Sequence, residues 1–264
     1  MGKVYLIGAG PGDPELLTVK AARLLAAADV VLHDSLVSRE VLDLISPCAE
    51  VLDVGKRAGT KLLTQDEINS LLVANAAKHS IVVRLKGGDP GIFGRAAEEI
   101  AALRRAGVAY EMVPGVTAAL SAAAAAGISL TDRRIASQVL LSTFSRKSEG
   151  SPLDPATDWG SLTPATTLVL YMPGPDYAEV SARLRDAGLP GDLPCVIVSR
   201  ISSGAQQIRW SSIAALAAGE KLPAPALLIV GRVASQHIAE LGESLWERIA
   251  PAKLEKTSPS ISVI

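Results

Sequence analysis

Apolar and polar residues along the first half of the chain follow two alternating patterns. Short runs rich in β-branched residues predict strands over residues 3–8, 30–32, 51–54, 81–85 and 110–113. Stretches of helical composition predict helices over residues 15–28, 66–79, 98–106 and 118–126. Regular alternation of strands with helices is typical of a doubly wound, mostly parallel α/β sheet, which we expect here.

The second half of the chain is richer in strands and in proline and glycine. Its apolar runs predict strands over residues 138–143, 167–171, 195–199, 207–210 and 226–230, with helices over 176–187 and 212–218. We therefore expect an α/β protein of two domains, residues 1–114 and residues 115–245. The unpatterned residues 246–264 predict a flexible tail, and the polar loop 145–155 predicts a mobile segment.

The stretch 84–99 is the strongest candidate for a binding site. Its first residues end a predicted strand, a glycine turn follows, and a predicted helix begins near its end. Ligands of open α/β sheets bind beyond the carboxyl ends of the strands. Gly87 and Gly88 would let the backbone approach a ligand closely, and Asp89 could accept hydrogen bonds from ribose hydroxyls. The alternative is a tight turn in which the glycines only supply positive φ.

A second glycine loop, residues 8–14, follows the first strand. Its spacing is Gly-x-Gly-x-Gly, which differs from the dinucleotide-binding fingerprint, and Pro11 and Pro14 remove amide donors that a pyrophosphate would need. The loop therefore predicts either contact with a ligand that lacks phosphates or simply a sharp turn.

Several polar side chains are predicted at the same edge of the sheet. Asp34 follows the second strand and is a candidate general base, with a turn or helix cap as the alternative. His33, beside it, is interpreted as a packing residue. Lys56 and Arg57 follow the third strand, where the alternative is a solvated charged turn. Thr117 could cap the next helix or offer its hydroxyl to a ligand.

Composition narrows the class of partner. Of the 264 residues, 48% are hydrophobic and 3% aromatic, and the formal net charge is −1, so neither nucleic acid nor an anionic membrane is expected as partner. Cys48 and Cys195 lie outside any metal-binding or redox spacing, which predicts no metal and a reducing compartment. The absence of a leader-like or membrane-spanning apolar segment makes a cytoplasmic protein the expectation.

Taken together, the motifs resemble the tetrapyrrole methylase family, and within it the uroporphyrinogen-III C-methyltransferases. The resemblance extends over roughly residues 3–233. The matching motifs, in order, are residues 4–18, 34–38, 54–57, 84–99, 113–118, 127–131 and Tyr171-Met172.

The resemblance implies two α/β domains with the cofactor cleft between them, a homodimer, and S-adenosyl-L-methionine as cosubstrate. By motif position it implies that Asp34 is the proton acceptor, Lys56 the proton donor and Arg57 a substrate-binding residue. The implied cofactor-binding residues are Pro11, Gly87, Gly88, Asp89, Ile92, Thr117, Ala118, Met172, Ile201 and Ala226.

The implied reaction transfers two methyl groups to pyrrole carbons of uroporphyrinogen III, giving precorrin-2 for siroheme or cobalamin and S-adenosyl-L-homocysteine as the other product. Basic residues could meet the substrate carboxylates by charge-assisted hydrogen bonds: Lys56, Arg57, Lys61, Arg95, Arg133 and Arg134. His33 and Ser35 stand where the family usually has tyrosine and arginine. Methylation of a later corrin precursor, or cofactor binding without turnover, are the alternatives.

Overall fold

The structure, a computed structural model, describes residues 2–55, 63–144, 159, 162, 163 and 165–235. Contacts divide the chain into two units, one comprising Met1–Ala125 with Arg200–Gln207 and the other comprising Ala126–Ser199 with Ile208–Ile264. The first unit thus extends past the predicted boundary at residue 114 and includes a segment from far along the chain. The predicted tail 246–264 and the polar loop 145–155 lie outside the described residues.

The described residues of the first unit form a five-stranded sheet with helices between the strands. The strands are β1 (Lys3–Gly8), β2 (Val30–His33), β3 (Glu50–Asp53), β4 (Ile81–Lys86) and β5 (Ala109–Val113). The helices are α1 (Val19–Ala26), α2 (Arg39–Leu42), α3 (Gln65–Ala76), α4 (Ala96–Arg105) and α5 (Ala118–Ala125). The strand order is β3-β2-β4-β1-β5 and every pair is parallel, so the predicted parallel sheet is confirmed.

Both faces of this sheet are covered. Because side chains alternate along a strand, Ile7 of β1 packs with α1 on one face, while Leu6 packs with α3 and α4 on the other. The strands β1, β2 and β4 are buried on both sides, which explains why they read as continuous apolar segments, whereas the edge strands β3 and β5 are more exposed. His33 is also buried, as its interpretation as a packing residue requires.

The predicted helix over residues 15–28 is wrong at its start. A short 3-10 turn, Pro14–Leu16, comes first, and α1 begins only after Thr18, whose hydroxyl accepts a hydrogen bond from the Ala21 amide at 3.2 Å. This N-cap separates the two segments because it satisfies an amide that the helix leaves without a partner. A capping box of Thr64 and Glu67 marks the start of α3, close to the predicted helix start at residue 66.

The described residues of the second unit form a mixed sheet with an apolar core. Its strands are β6 (Gln138–Thr143), β7 (Thr166–Tyr171), β8 (Pro194–Ser199), β9 (Gln207–Ser212) and β10 (Ala226–Val230), in the order β6-β7-β10-β8-β9. The strand β6 runs parallel to β7, and β10 runs antiparallel to β7 and β8. Helix α6 (Tyr177–Asp186) packs on this core, and the predicted helix 212–218 shrinks to a 3-10 turn, Leu216–Ala218.

Candidate functional site

The loops that leave β1 and β4 are bonded to each other through their backbones. The Gly10 amide donates to the Gly88 carbonyl at 3.1 Å, and the Gly88 amide donates to the Gly10 carbonyl at 2.7 Å. The Ala9 amide donates to the Lys86 carbonyl at 2.7 Å, which continues the pairing of the two strands. The two glycine loops that the sequence predicted as separate candidates therefore form one edge.

Glycine is required here for two different reasons. At Gly88 the φ angle is +68°, a left-handed conformation that side chains rarely adopt. At Gly8 and Gly115 the reason is space, since a Cβ on either residue would lie 2.6 Å or less from the Gly88 carbonyl oxygen. Gly88 has the positive φ that the turn alternative requires, and its cofactor role stays a prediction. Gly87 is not among the glycines with positive φ, and a Cβ on it would lie 3.2 Å from the Leu36 Cβ.

Asp89 ties this edge to the next loop. One carboxylate oxygen, Oδ1, accepts a hydrogen bond from the Gly91 amide at 2.8 Å. The other, Oδ2, accepts from the Gly115 amide, beyond the end of β5, at 3.0 Å. Each oxygen keeps a second lone pair, so the cofactor role of Asp89 stays a prediction, while its observed role is to join its own loop to the loop that follows β5.

Most of the remaining predicted cofactor-binding residues of the first unit lie near these loops. A Cβ on Gly88 would approach the Ala118 amide to 3.7 Å and the Thr117 Cα to 3.9 Å. The Ile92 amide donates to the Asp89 carbonyl at 3.2 Å. Pro11 lies between Gly10 and Gly12 in the loop that follows β1.

Ile201 reaches the same loop from far along the chain. A Cβ on Gly12 would lie 4.0 Å from the Ile201 carbonyl oxygen and 3.8 Å from that of Ser202. The Ser38 hydroxyl donates to the Gly12 carbonyl at 2.5 Å and holds this loop in place. The structure therefore brings Ile201 to the edge that the glycine loops form.

Two predicted residues belong to the second unit. Met172 follows β7, is 48% exposed and has a φ angle of +50°. Ala226 opens β10 and is paired with Ser199 of β8. Their cofactor role remains a prediction.

Asp34 leaves β2 at the edge that β4 shares. Its amide donates to the Leu85 carbonyl at 3.2 Å, which keeps the backbone in the sheet one residue beyond β2. Its Oδ1 accepts a hydrogen bond from Nη2 of Arg84. The side chain is 30% exposed, and no described residue donates to Oδ2. The carboxylate is therefore held on one side and available on the other, rather than used as a cap.

A buried charged cluster that the sequence reasoning missed lies behind Asp34. Glu99 of α4 is completely buried, and its Oε1 accepts from Nε of Arg84 and from Nζ of Lys86, both at 2.9 Å. Burial lowers the pKa of Lys86, and the positive charge of Arg84 lowers it further. For Arg84, burial opposes the charge, but Glu99 and Asp34 outweigh it and the pKa is raised.

Five of the six basic candidates for the substrate carboxylates divide into two groups, and the sixth, Arg133, is exposed. Lys56, Arg57 and Lys61 lie outside the described residues. Arg95 pairs with Glu98 at 2.8 Å, and Arg134 pairs with Asp132 at 2.7 Å, so these guanidinium groups already have acidic partners. Among the residues that the structure covers, no group of three or more His, Cys, Asp or Glu side chains could hold a metal. None of the described helices is long and apolar enough to cross a bilayer.

Comparison with known proteins assigns the chain to a family. The sequence matches the tetrapyrrole (corrin/porphyrin) methylases over residues 3–217, which include both glycine loops, Asp34 and the buried cluster. The chain belongs to the tetrapyrrole methylase family. The resemblance seen in the motifs is thereby confirmed.

Individual relatives agree with this placement. The chain is 48% identical over 239 residues to the uroporphyrinogen-III C-methyltransferase of Paracoccus denitrificans, covering 89% of this chain and 82% of that protein. It is 45% identical over 251 residues to a siroheme synthase of Psychrobacter, covering 93% of this chain. The chain spans only 51% of that siroheme synthase, so the match concerns about half of the longer protein.

A solved structure of the family shares the fold. The uroporphyrin-III C-methyltransferase of Thermus thermophilus, complexed with S-adenyl homocysteine, matches with a TM-score of 0.75 at 39% identity. The match covers 88% of this chain and 93% of that one. The predicted fold class, two α/β units of the tetrapyrrole methylase type, is therefore confirmed.

Proposed function

We propose that this chain transfers methyl groups from S-adenosyl-L-methionine to two pyrrole carbons of uroporphyrinogen III and forms precorrin-2. The observation that carries the proposal is the edge of the first sheet, where Asp34 and the joined glycine loops meet within the span that matches the family. The 48% identity to a Paracoccus enzyme named for this reaction supports the choice of substrate. The product would serve siroheme or cobalamin formation.

The edge at which the loops containing Gly10 and Gly88 join, here called the glycine edge, fits a methyl donor that carries no phosphates. Gly10 and Gly88 use their amides on each other, and Pro11 and Pro14 have none, so few donors remain there for a pyrophosphate. The proposed contacts in the first unit are Pro11, Gly87, Gly88, Asp89, Ile92, Thr117, Ala118 and Ile201. For Met172 and Ala226 of the second unit, the proposal rests on the resemblance alone.

The sulfonium methyl group of the donor supplies the electrophile, and the work of the protein is positioning and proton transfer. A pyrrole carbon that has gained a methyl group leaves the ring with extra positive charge until a proton departs. Asp34 is the proposed proton acceptor, because its Oδ2 has no donor among the described residues and the side chain reaches solvent. The carboxylate would also stabilise the positive charge before the proton leaves.

The remaining assignments are proposals that follow the family. Lys56 is the proposed proton donor and Arg57 a proposed ligand of the substrate carboxylates, which a guanidinium can bind through two parallel hydrogen bonds. We also propose a cytoplasmic homodimer that takes a tetrapyrrole and does not bind nucleic acid, in keeping with the formal net charge of −1.

Anaerobic incubation of the chain with S-adenosyl-L-methionine and uroporphyrinogen III, followed by mass spectrometry of the tetrapyrrole, tests the proposal. We expect a gain of two methyl groups. No gain, with the methyl donor still bound in calorimetry, would contradict the proposal, and later corrin precursors would then be assayed in the same way. If these also gain no methyl group, the chain binds the donor without turnover.

A further inference from the structure

The middle strand of the first sheet carries a buried arginine where both neighbouring strands have leucine. Arg84 lies opposite Leu6 of β1 and Leu32 of β2, and only 2% of its surface is exposed. Removing a guanidinium from water is costly unless charged and polar partners compensate for the lost hydration. Packing alone would be served as well by an apolar side chain, so the arginine calls for another explanation.

The hydrogen bonds of Arg84 run in the direction of Asp34. Nε donates to Glu99 at 2.9 Å, and Nη1 donates to the carbonyls of Leu85 at 3.2 Å and Leu32 at 3.4 Å. Nη2 donates to Oδ1 of Asp34. The planar fork therefore has one side fixed in the buried interior and the other on the partly exposed carboxylate.

Glu99 anchors the buried side of this fork. It accepts a second hydrogen bond from Lys86 at 2.9 Å and a longer one from the Gln65 side chain at 3.4 Å. Because Glu99 is completely enclosed, its position is fixed by packing on α4 as well as by these donors. Arg84 is thereby restrained on the side away from Asp34.

We propose that Arg84 is a positioning residue for the methyl transfer, holding Oδ1 of Asp34 so that Oδ2 is presented to the proton. The inference rests on the proposed function, in which Asp34 is the proton acceptor. A carboxylate that follows a strand and is 30% exposed can rotate, and a base that rotates is misplaced for part of the time. Arg84 removes that freedom without touching the substrate.

Replacement of Arg84 separates positioning from substrate binding. In Arg84→Lys a cation remains for Glu99, but an ammonium group lacks the fork that bonds to Asp34 as well. We expect kcat to fall about tenfold or more and the KM for each substrate to change less than about threefold. Arg84→Gln is measured beside it, so that a folding failure in one variant leaves the other.

Lys86→Met is the matched control. Lys86 lies on the same strand and the same face, is equally buried and bonds to the same oxygen of Glu99, but makes no hydrogen bond to Asp34. We expect its kcat to stay within about threefold of the wild type. Equal losses of kcat in Lys86→Met and Arg84→Lys would overturn the proposal, since a general effect of the cluster would then explain both.

A double-mutant cycle decides whether Arg84 acts through Asp34. In an Asp34→Asn background, Arg84→Lys should lower kcat no further, because the group that it positions has already lost its function. Multiplicative losses would overturn the proposal, as would a wild-type kcat in Arg84→Lys. Absence of methyl transfer by the wild-type chain would instead refute the proposed function, and this assay is read before any variant.

Discussion

The middle strands of the two sheets differ in what they bury. In the first unit, β4 carries Arg84 and Lys86 into the interior, where Glu99 meets both. In the second unit, β10 reads Ala-Leu-Leu-Ile-Val, and Leu228 and Val230 enter an apolar core. Burying charge is costly and apolar burial is favourable, so Arg84 and Lys86 each cost more to bury than Leu228 or Val230. The difference agrees with the proposal that proton transfer takes place at the edge of the first sheet.

Even an ionisable side chain behaves as an apolar one in the second core. Cys195 of β8 is completely buried, and this burial raises the pKa of its thiol to about 12. The thiol therefore stays neutral at physiological pH, whereas the buried side chains of Arg84 and Lys86 in the first unit are charged groups paired with Glu99. The comparison predicts that changes at the charged groups of the first unit alter activity, charge pairing or both, and that a change in the apolar core of the second unit alters stability alone.

Asp34→Asn should give the largest effect. Removing a general base typically lowers the rate of the chemical step by about 10²- to 10⁴-fold, and we expect kcat to fall in that range. Calorimetry should show unchanged binding of the methyl donor. Asp43→Asn, which alters an exposed carboxylate paired with Arg39, is the control and should leave kcat unchanged. A wild-type kcat in Asp34→Asn would remove this residue from the mechanism.

Glu99→Gln tests the buried charge directly. Removing one partner of a buried ion pair typically costs about 3–5 kcal/mol of unfolding free energy, because the remaining charges lose their counterion. The matched control is Glu98→Gln, one residue earlier, whose pair with Arg95 is exposed and should contribute about 0–1 kcal/mol. Urea denaturation measures both. Equal losses would mean that the cluster stabilises the first sheet no more than a surface pair does.

Gly88→Val should weaken binding of the methyl donor by about tenfold or more, equivalent to about 1.4 kcal/mol, since the new side chain occupies the glycine edge. The left-handed backbone conformation at position 88 also strains a valine there by about 1–2 kcal/mol. Gly107→Val is the control, because its φ angle is +67°, close to that of Gly88, but no atom lies within 4 Å of its Cβ position. Equal binding by the two folded variants in calorimetry would show that Gly88 is needed only for the turn.

Ile197→Val probes the second core. Ile197 of β8 is completely buried in the apolar cluster, and the loss of one methylene there should cost about 0.5–1.5 kcal/mol of unfolding free energy. The loss should be the same at pH 6 and pH 8, because no charge is involved. Thermal or urea unfolding at both values measures it, and a pH-dependent loss would contradict the contrast between the two cores.

Glu111→Gln should have the smallest effect. Hydrogen bonds from Lys20 and Lys3 lower the pKa of Glu111 to about 2. A carboxyl group whose pKa is lowered on folding stabilises the folded state at pH values above its ordinary pKa. This stabilisation is lost as the pH falls towards 2. The substitution should therefore cost about 0–1 kcal/mol at pH 7 and nothing near pH 2. Glu50→Gln, an exposed strand residue without an ion pair in the described residues, is the control, and an equal pH dependence would contradict the assignment.

Local patterns in the sequence predict much of the fold. The strands β6 and β10 are predicted with their observed bounds, because β-branched and leucine runs end there at turn residues. The capping box of Thr64 and Glu67 likewise marks the start of α3. Where a competing local signal was overlooked, as with Pro14 and the Thr18 cap, the predicted helix 15–28 was too long at its start.

Such local patterns do not predict which residues far apart in the sequence bond to each other. Arg84 and Lys86 alternate along a strand, which ordinarily indicates an exposed face, and their shared partner Glu99 lies on a helix later in the chain. The bonding of Gly10 to Gly88 likewise depends on β1 lying beside β4, which strand alternation alone does not determine. Motifs could therefore indicate Asp34 as a base, but not the arginine that holds it.

Three loops at one edge of the first sheet are fastened together by the backbone bonds of Gly10 with Gly88 and by Asp89, which joins Gly91 to Gly115. Loops that are free before binding lose conformational entropy when a ligand orders them, and this loss is subtracted from the affinity. Here the ordering is completed when the chain folds. A ligand that docks on this edge therefore retains more of its contact energy as affinity.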